Sequence, residues 1–293
     1  MPVALAPDVD VLVRGWLHGN AVLLRGERPA IIDTGYHTGA EVLFQRIECF
    51  VGPVEQLHCI ALTHVHSDHC GVVAALQEAS DVTVFAHADA AARVEEWTDA
   101  GLWLGSSGQE LPRFTVDHSL VEGDEMQLGD RTFRVIWTPG HAEGGIAFFD
   151  EHDGLLITGD GLWENGFGLL NPWIEGPQVY ELAELALSNI AATKARLVIP
   201  GHLEPFTDLD AAVGRARSRL AHLAKHPGSM RRAMLKSGAA FYALAHPEVG
   251  AQQIYRQVLE QCRVHHRLDG DDSSGTDEDL AQGIVGWLAA QAG

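Results

Sequence analysis

Residues Thr63 to Gly71 read THVHSDHCG, and this stretch sets three histidines and one aspartate close together, His64, His66, Asp68 and His69, directly behind the apolar run CIAL. Imidazole and carboxylate are the ligand types that zinc and other first-row metals prefer, and catalytic sites gather them on loops at strand ends. CIAL has strand length, and the alanine-rich GVVAALQEA after the cluster has helical character, so the donors fall in a strand-to-helix loop. If the segment is extended, alternation points His64 and His66 to one side, while Asp68 and His69 sit past the bend. That supplies two adjacent ligand pairs. Donors elsewhere in the chain must decide between one metal and two.

Working outward, His141 stands in TPGHAEGG after RVIW, Asp160 in ITGDG after GLLI, and His202 in IPGHLEP after ARLV. Each follows an apolar run of strand length, so all of them can converge at one edge of a sheet structure. Seven donors suit two metals with open positions.

The ordered set HVHSDH, PGH, GD and PGH, together with Asp33 in IIDTG, resembles the metallo-β-lactamase-fold hydrolase superfamily over about residues 10 to 205. The resemblance implies an α+β fold, an αββα sandwich of two similar halves with the site at one edge, followed by a helical C-terminal region. It further implies that His64, His66 and His141 hold one metal, that Asp68, His69 and His202 hold the second, and that Asp160 bridges them. Asp33 would orient the ligand loop, and Asp68 or Asp160 would position the nucleophile or take its proton. Two divalent cations in a dinuclear site are the expected cofactors, zinc first, with iron or manganese as alternatives. Two cations about 3.5–4 Å apart can share a water and lower its pKa to about 7, so that hydroxide attacks a polarised carbonyl.

The rest of the chain supports a two-part organisation. NAVLLRG and PAIIDTG flank GERP as a hairpin, and GIAFFDEHDGLLITGD repeats that pattern around DEHD after a restart near Glu122. Between the halves lies a long loop with Trp97, Trp103 and Leu104, candidates for a lid. Helical patterns dominate from Leu209 onward, which predicts a catalytic domain over residues 1–207 and a helical region over 208–293, with the acidic stretch 269–279 as a linker. Aromatics beside the bridging aspartate make Trp163, Glu164 and Phe167, with Trp103, the expected substrate-contacting residues. Glu143 reads as a solvated loop carboxylate, and Cys70 as packing at a helix start.

Composition narrows the function classes. Forty acids against twenty bases give a formal charge of -20 in 293 residues, which repels nucleic acid and anionic lipid at long range. The absence of a long apolar run or a secretory signal predicts no membrane span and a cytoplasmic location, and four dispersed cysteines fit reduced thiols. A small molecule is the expected partner, with a homodimer left open. Within the resembled family, Asp160 stands where cysteine-ligand β-lactamases carry cysteine. No basic cluster suited to a glutathione carboxylate shows in the C-terminal half, and Ala142 and Glu143 replace the usual residues after the PGH histidine. The expected activity is metal-dependent hydrolysis of a thioester, ester or lactone. The alternatives are a mononuclear iron persulfide dioxygenase-like enzyme and a signalling protein that uses the fold to bind.

Overall fold

Short runs of aliphatic residues between turn residues form two sheets, seen in a computed structural model that describes residues 3–15, 17–104, 108–269 and 276–291. The first sheet holds, in spatial order, β1 (Val9–Leu12), β2 (Ala21–Leu24), β3 (Ala30–Ile32), β4 (Cys59–Ala61), β5 (Thr83–His87) and β6 (His118–Leu120). The second runs β11 (Leu197–Pro200), β10 (Leu155–Gly159), β9 (Ile146–Asp150), β8 (Arg131–Trp137) and β7 (Glu125–Leu128). Both expected hairpins form, β2 with β3 and β9 with β10. The central strands β2, β3, β4, β9 and β10 are buried along their whole length, as strands covered on both faces must be, whereas edge strand β7 alternates exposed and buried.

Helices cover the outer faces. Leu43 and Ile47 of α1 (Ala40–Phe50), Leu76 of α3 (Val73–Ala79) and Val94 of α4 (Ala88–Glu96) pack on the first sheet. Leu187 and Ile190 of α5 (Val179–Ala192) and Val213 and Ala216 of α6 (Leu209–Lys225) pack on the second. Ile32, Ala61, Phe148 and Ile157 fill the layer between the sheets, which completes the αββα sandwich. Beyond α6, Leu235 of α7 (Pro227–Ala245), Val258 of α8 (Ala251–Asp269) and Ile284 of α9 (Asp277–Gln291) share a further cluster.

Of the acidic stretch expected as a linker, residues 270–275 lie outside the described residues. Its flanks are helical: Asp269 closes α8, and Asp277, Glu278 and Asp279 form the first turn of α9, where acids complement the positive end of the helix. No helix among the described residues is long and apolar enough to cross a membrane.

Topology explains why the donors meet. β3 and β4 are parallel neighbours, and so are β10 and β11, so the loops leaving their C-terminal ends open at the same edge. β8 runs in the same sense as β10 because β9 is antiparallel to both, and it delivers the loop of His141 there too. Buried Asn20 fastens the two halves at this edge by donating to the carbonyls of Pro200 at 2.9 Å and Leu203 at 2.7 Å.

Candidate metal centre

His64 and His66 leave β4 in extended backbone, and their rings lie 4.6 Å apart on one side. The chain then turns into a one-turn helix, α2 (Ser67–Cys70), so Asp68 and His69 sit on a helical turn rather than in the loop, and the longer helix starts at Val73 instead of near Cys70. His141 Nε2 lies 2.8 Å from His66 Nδ1 and 3.2 Å from His64 Nε2. Asp68, His69 and His202 make a second group: His202 Nε2 is 3.2 Å from Asp68 Oδ2 and 3.3 Å from His69 Nε2. Asp160 stands between them, Oδ2 at 3.5 Å from His141 Nε2 and Oδ1 at 3.4 Å from His69 Nε2 and 3.6 Å from His202 Nε2.

The hydrogen bonds behind the rings fix their tautomers. Asp33 accepts the Thr63 amide at 2.8 Å, the Thr63 hydroxyl at 2.6 Å and His69 Nδ1 at 2.8 Å. Because the Thr63 hydroxyl spends its proton on Asp33, it must accept from His64 Nδ1, 3.0 Å away. His141 Nδ1 donates to the Leu169 carbonyl at 2.6 Å. The inward nitrogens of His64 and His141 therefore carry lone pairs, and the Asp33 contact turns Nε2 of His69 inward as well. Lone pairs from His64 and His141 at 3.2 Å repel unless a cation lies between them, so this donor set fits a metal. Asp33 makes its contacts from left-handed backbone at φ 56°, a strained conformation for a residue with a side chain. Gly159, at φ 48°, lets the chain turn where β10 ends against Thr63, and a side chain at Gly168 would strike His141 Nδ1 at 2.6 Å.

Electrostatics divides the two groups. Burial, reinforced by neighbouring rings, holds His64 and His66 well below the ordinary imidazole value, and burial also lowers His141. These three stay neutral, the form that binds metal. Burial opposes charge on His69 and His202 as well, but the carboxylates of Asp160 and Asp68 outweigh it and raise both, with Asp33 adding to the effect on His69. Without a cation, those two rings hold protons that a metal must displace. The Cys70 thiol, pushed up by burial and donating to the His66 carbonyl at 3.2 Å, packs as expected.

Five of the seven donors, His66, Asp68, His141, Asp160 and His202, form the floor of a cavity of about 620 Å³, a size suited to a small ligand. Trp103 and Trp163 line it as expected, and each also touches the metal cluster. The Trp103 ring lies 4.1 Å from that of His66, and the Trp163 indole N–H donates to Asp160 Oδ1 at 3.0 Å. Glu164 and Phe167 do not line it: Glu164 is exposed, and Phe167 is buried in the core beneath α5 and α6 because an aromatic next to a site still packs where apolar neighbours are available. Trp97 packs on Phe114 in the first-sheet core and forms no lid, while Leu104 does line the cavity. Glu143 is an exposed loop carboxylate, as expected, and also pairs with Arg93 at 2.8 Å. Arg93 also pairs with the buried Glu175 at 2.6 Å, which in turn accepts the Trp103 indole N–H at 3.1 Å. The opposite wall comes from the C-terminal helices, through Met234, Lys236 and Phe241 of α7, Gln261 of α8 and Trp287 of α9, with Arg219 of α6 beside them. No local sequence signal marks those residues.

The sequence profile of the metallo-beta-lactamase superfamily matches residues 14–202, and the chain belongs to that superfamily. It is a metallo-hydrolase of that fold with a His/Asp metal-binding cluster. Among its relatives, the probable metallo-hydrolase YqgX of Bacillus subtilis is 31% identical over 51% of this chain and 70% of its own. The human acyl-coenzyme A thioesterase MBLAC2 is 28% identical over 64% of this chain and 74% of its own. The crystal structure of the metallo-beta-lactamase family protein TTHA1429 from Thermus thermophilus shares the fold with a TM-score of 0.61 at 23% identity, covering 94% of this chain and 98% of that one.

Proposed function

We propose that the chain hydrolyses a small carbonyl substrate with an apolar portion, a thioester first, with esters and lactones as its chemical neighbours. The observation that carries this reading is the Asp160 carboxylate set between two ligand groups at the floor of an aromatic-walled cavity. His64, His66 and His141 would hold one cation, Asp68, His69 and His202 the other, and Asp160 would reach both. Zinc suits these donors, and iron or manganese is accepted by the same set. When bound, two divalent cations supply Lewis-acid activation of water and of a carbonyl at neutral pH.

The chain's own residues do the rest. Asp33 and Thr63 keep His64 and His69 in the tautomers whose free nitrogens face inward. Asp68 lines the cavity and accepts a proton from the attacking water, while Asp160, held by Trp163, orients that water. Trp103, Trp163 and Trp173 enclose the apolar part of the substrate and exclude bulk water from it. The name of the thioesterase relative supports beginning with thioesters.

Elemental analysis of protein purified without added metal, followed by a short-chain thioester assay, tests the reading. The expected result is two zinc ions per chain and steady hydrolysis. A folded, metal-free chain would overturn it, and one iron per chain would redirect it to oxygen-dependent sulfur chemistry.

A further inference from the structure

The chain carries a formal charge of -20, and several of its basic side chains are neutralised by acids beside them. Arg46 pairs with Asp10, Arg93 with Glu143 and Glu175, Arg131 with Asp8, Asp150 and Asp153, Arg217 with Glu184, and Arg231 with Asp277. Two cations without such a partner, Arg219 and Lys236, line the cavity above the ligand cluster. Arg219 of α6 rests its guanidinium 5.3 Å from the centre of the Phe167 ring, and Lys236 of α7 rests its ammonium 4.8 Å from the centre of the Trp287 ring. Neither makes an ion pair or a hydrogen bond with any described residue.

The half-buried Arg219 guanidinium lies over an aromatic ring with no acceptor among the described residues. Burial already draws Arg219 below the ordinary arginine value, so the protein stabilises its charge poorly on its own. The rings beneath the two cations hold them in place without using their N–H groups, which stay available to a ligand. Apart from Asp68 and Asp160 at the floor, the one acid of the lining is Asp99, and it pairs with neither cation.

We propose that Arg219 and Lys236 form a subsite for an oxyanion, a carboxylate or a phosphate, carried by the substrate on the part that lies against the C-terminal helices, away from the scissile carbonyl. The placement of that carbonyl rests on the hydrolase reading above; the subsite itself rests only on the two unpaired cations. Arg219 supplies a planar fork that matches an oxyanion with two parallel hydrogen bonds, and Lys236 supplies a point charge. The cavity thereby selects its ligand at both ends.

The test uses the metal-loaded protein and three non-hydrolysable thioethers of equal chain length, ending in a carboxylate, a phosphate monoester or a neutral methyl ester. Binding is followed by calorimetry, so it does not depend on turnover. The wild-type protein should bind one of the two anionic compounds at least about tenfold more tightly than the neutral one, as a charged hydrogen-bonded pair contributes, and whichever is preferred identifies the oxyanion. Arg219→Gln and Lys236→Gln, each checked for folding by circular dichroism, should bring that ratio close to one, with Arg219→Lys recovering part of it. Because the variants lie on different helices, misfolding of one leaves the other to decide. Equal binding of all three compounds by the wild type, or a preference unchanged in both glutamine variants, would overturn the subsite. Hydrolysis of the matching thioesters is measured separately: no anion preference in the wild type, with turnover of neutral thioesters intact, defeats the subsite alone, whereas an anion preference that depends on Arg219 and Lys236 but comes with no thioester turnover defeats the hydrolase reading alone.

Discussion

Asp160 offers one carboxylate oxygen to each ligand group, so it is the side chain on which both depend. Asp160→Ala should lower metal content and hydrolysis together by orders of magnitude, read by elemental analysis and thioester turnover; full activity in that variant would sink the bridging role. The indole of Trp163 holds the oxygen of Asp160 that faces His69 and His202. Trp163→Phe keeps the ring but removes the donor, and should weaken metal retention about tenfold against a competing chelator. The raised histidines set the pH dependence. His69 and His202 hold protons until the pH passes their raised values, so metal affinity should climb from neutral toward alkaline pH and fall on acidification, as a chelator titration across that range will show. The donors were legible in the sequence because each group of them follows a strand within a few residues. The Trp163 hydrogen bond was not, because it depends on a rotamer. Phe167 misled because neighbourhood in sequence does not say which way an aromatic faces.

The elements around the site add a clamp with no counterpart in any motif. Arg93 of α4 holds Glu175 from the loop before α5, and Glu175 holds the indole of Trp103 against the ring of His66. Trp103 sits there in left-handed backbone at φ 56°, a conformation that persists only when neighbours enforce it. The Arg93–Glu175 pair is mostly shielded from solvent, so Arg93→Ala leaves a buried carboxylate without its partner, at a cost of about 3 kcal/mol. A lowered unfolding midpoint and a raised KM with unchanged ion content are the expected outcomes; a midpoint equal to wild type would remove the clamp. The two hairpins, the repeated halves and the helical tail were legible from apolar periodicity and turn residues. The clamp was not, since its members come from three separate segments that meet only when the long loop folds over the floor of the cavity.

At the scale of the whole molecule, the sandwich supplies the metal floor and the helices beyond it supply the opposite wall, so the two parts can be perturbed separately. Leu235 is fully buried in the cluster shared by α7, α8 and α9, and its neighbours in sequence, Met234 and Lys236, line the cavity. None of the seven metal donors belongs to that cluster. Leu235→Ala should cost the helical region about 3 kcal/mol through lost burial and the cavity left behind. If the helices form a working wall, the variant keeps its metal content but shows faster amide exchange in α7–α9 and a raised KM that grows with the length of the acyl chain. A KM unchanged across acyl lengths, with exchange visibly faster, would mean that the helical region folds beside the site without shaping what enters it.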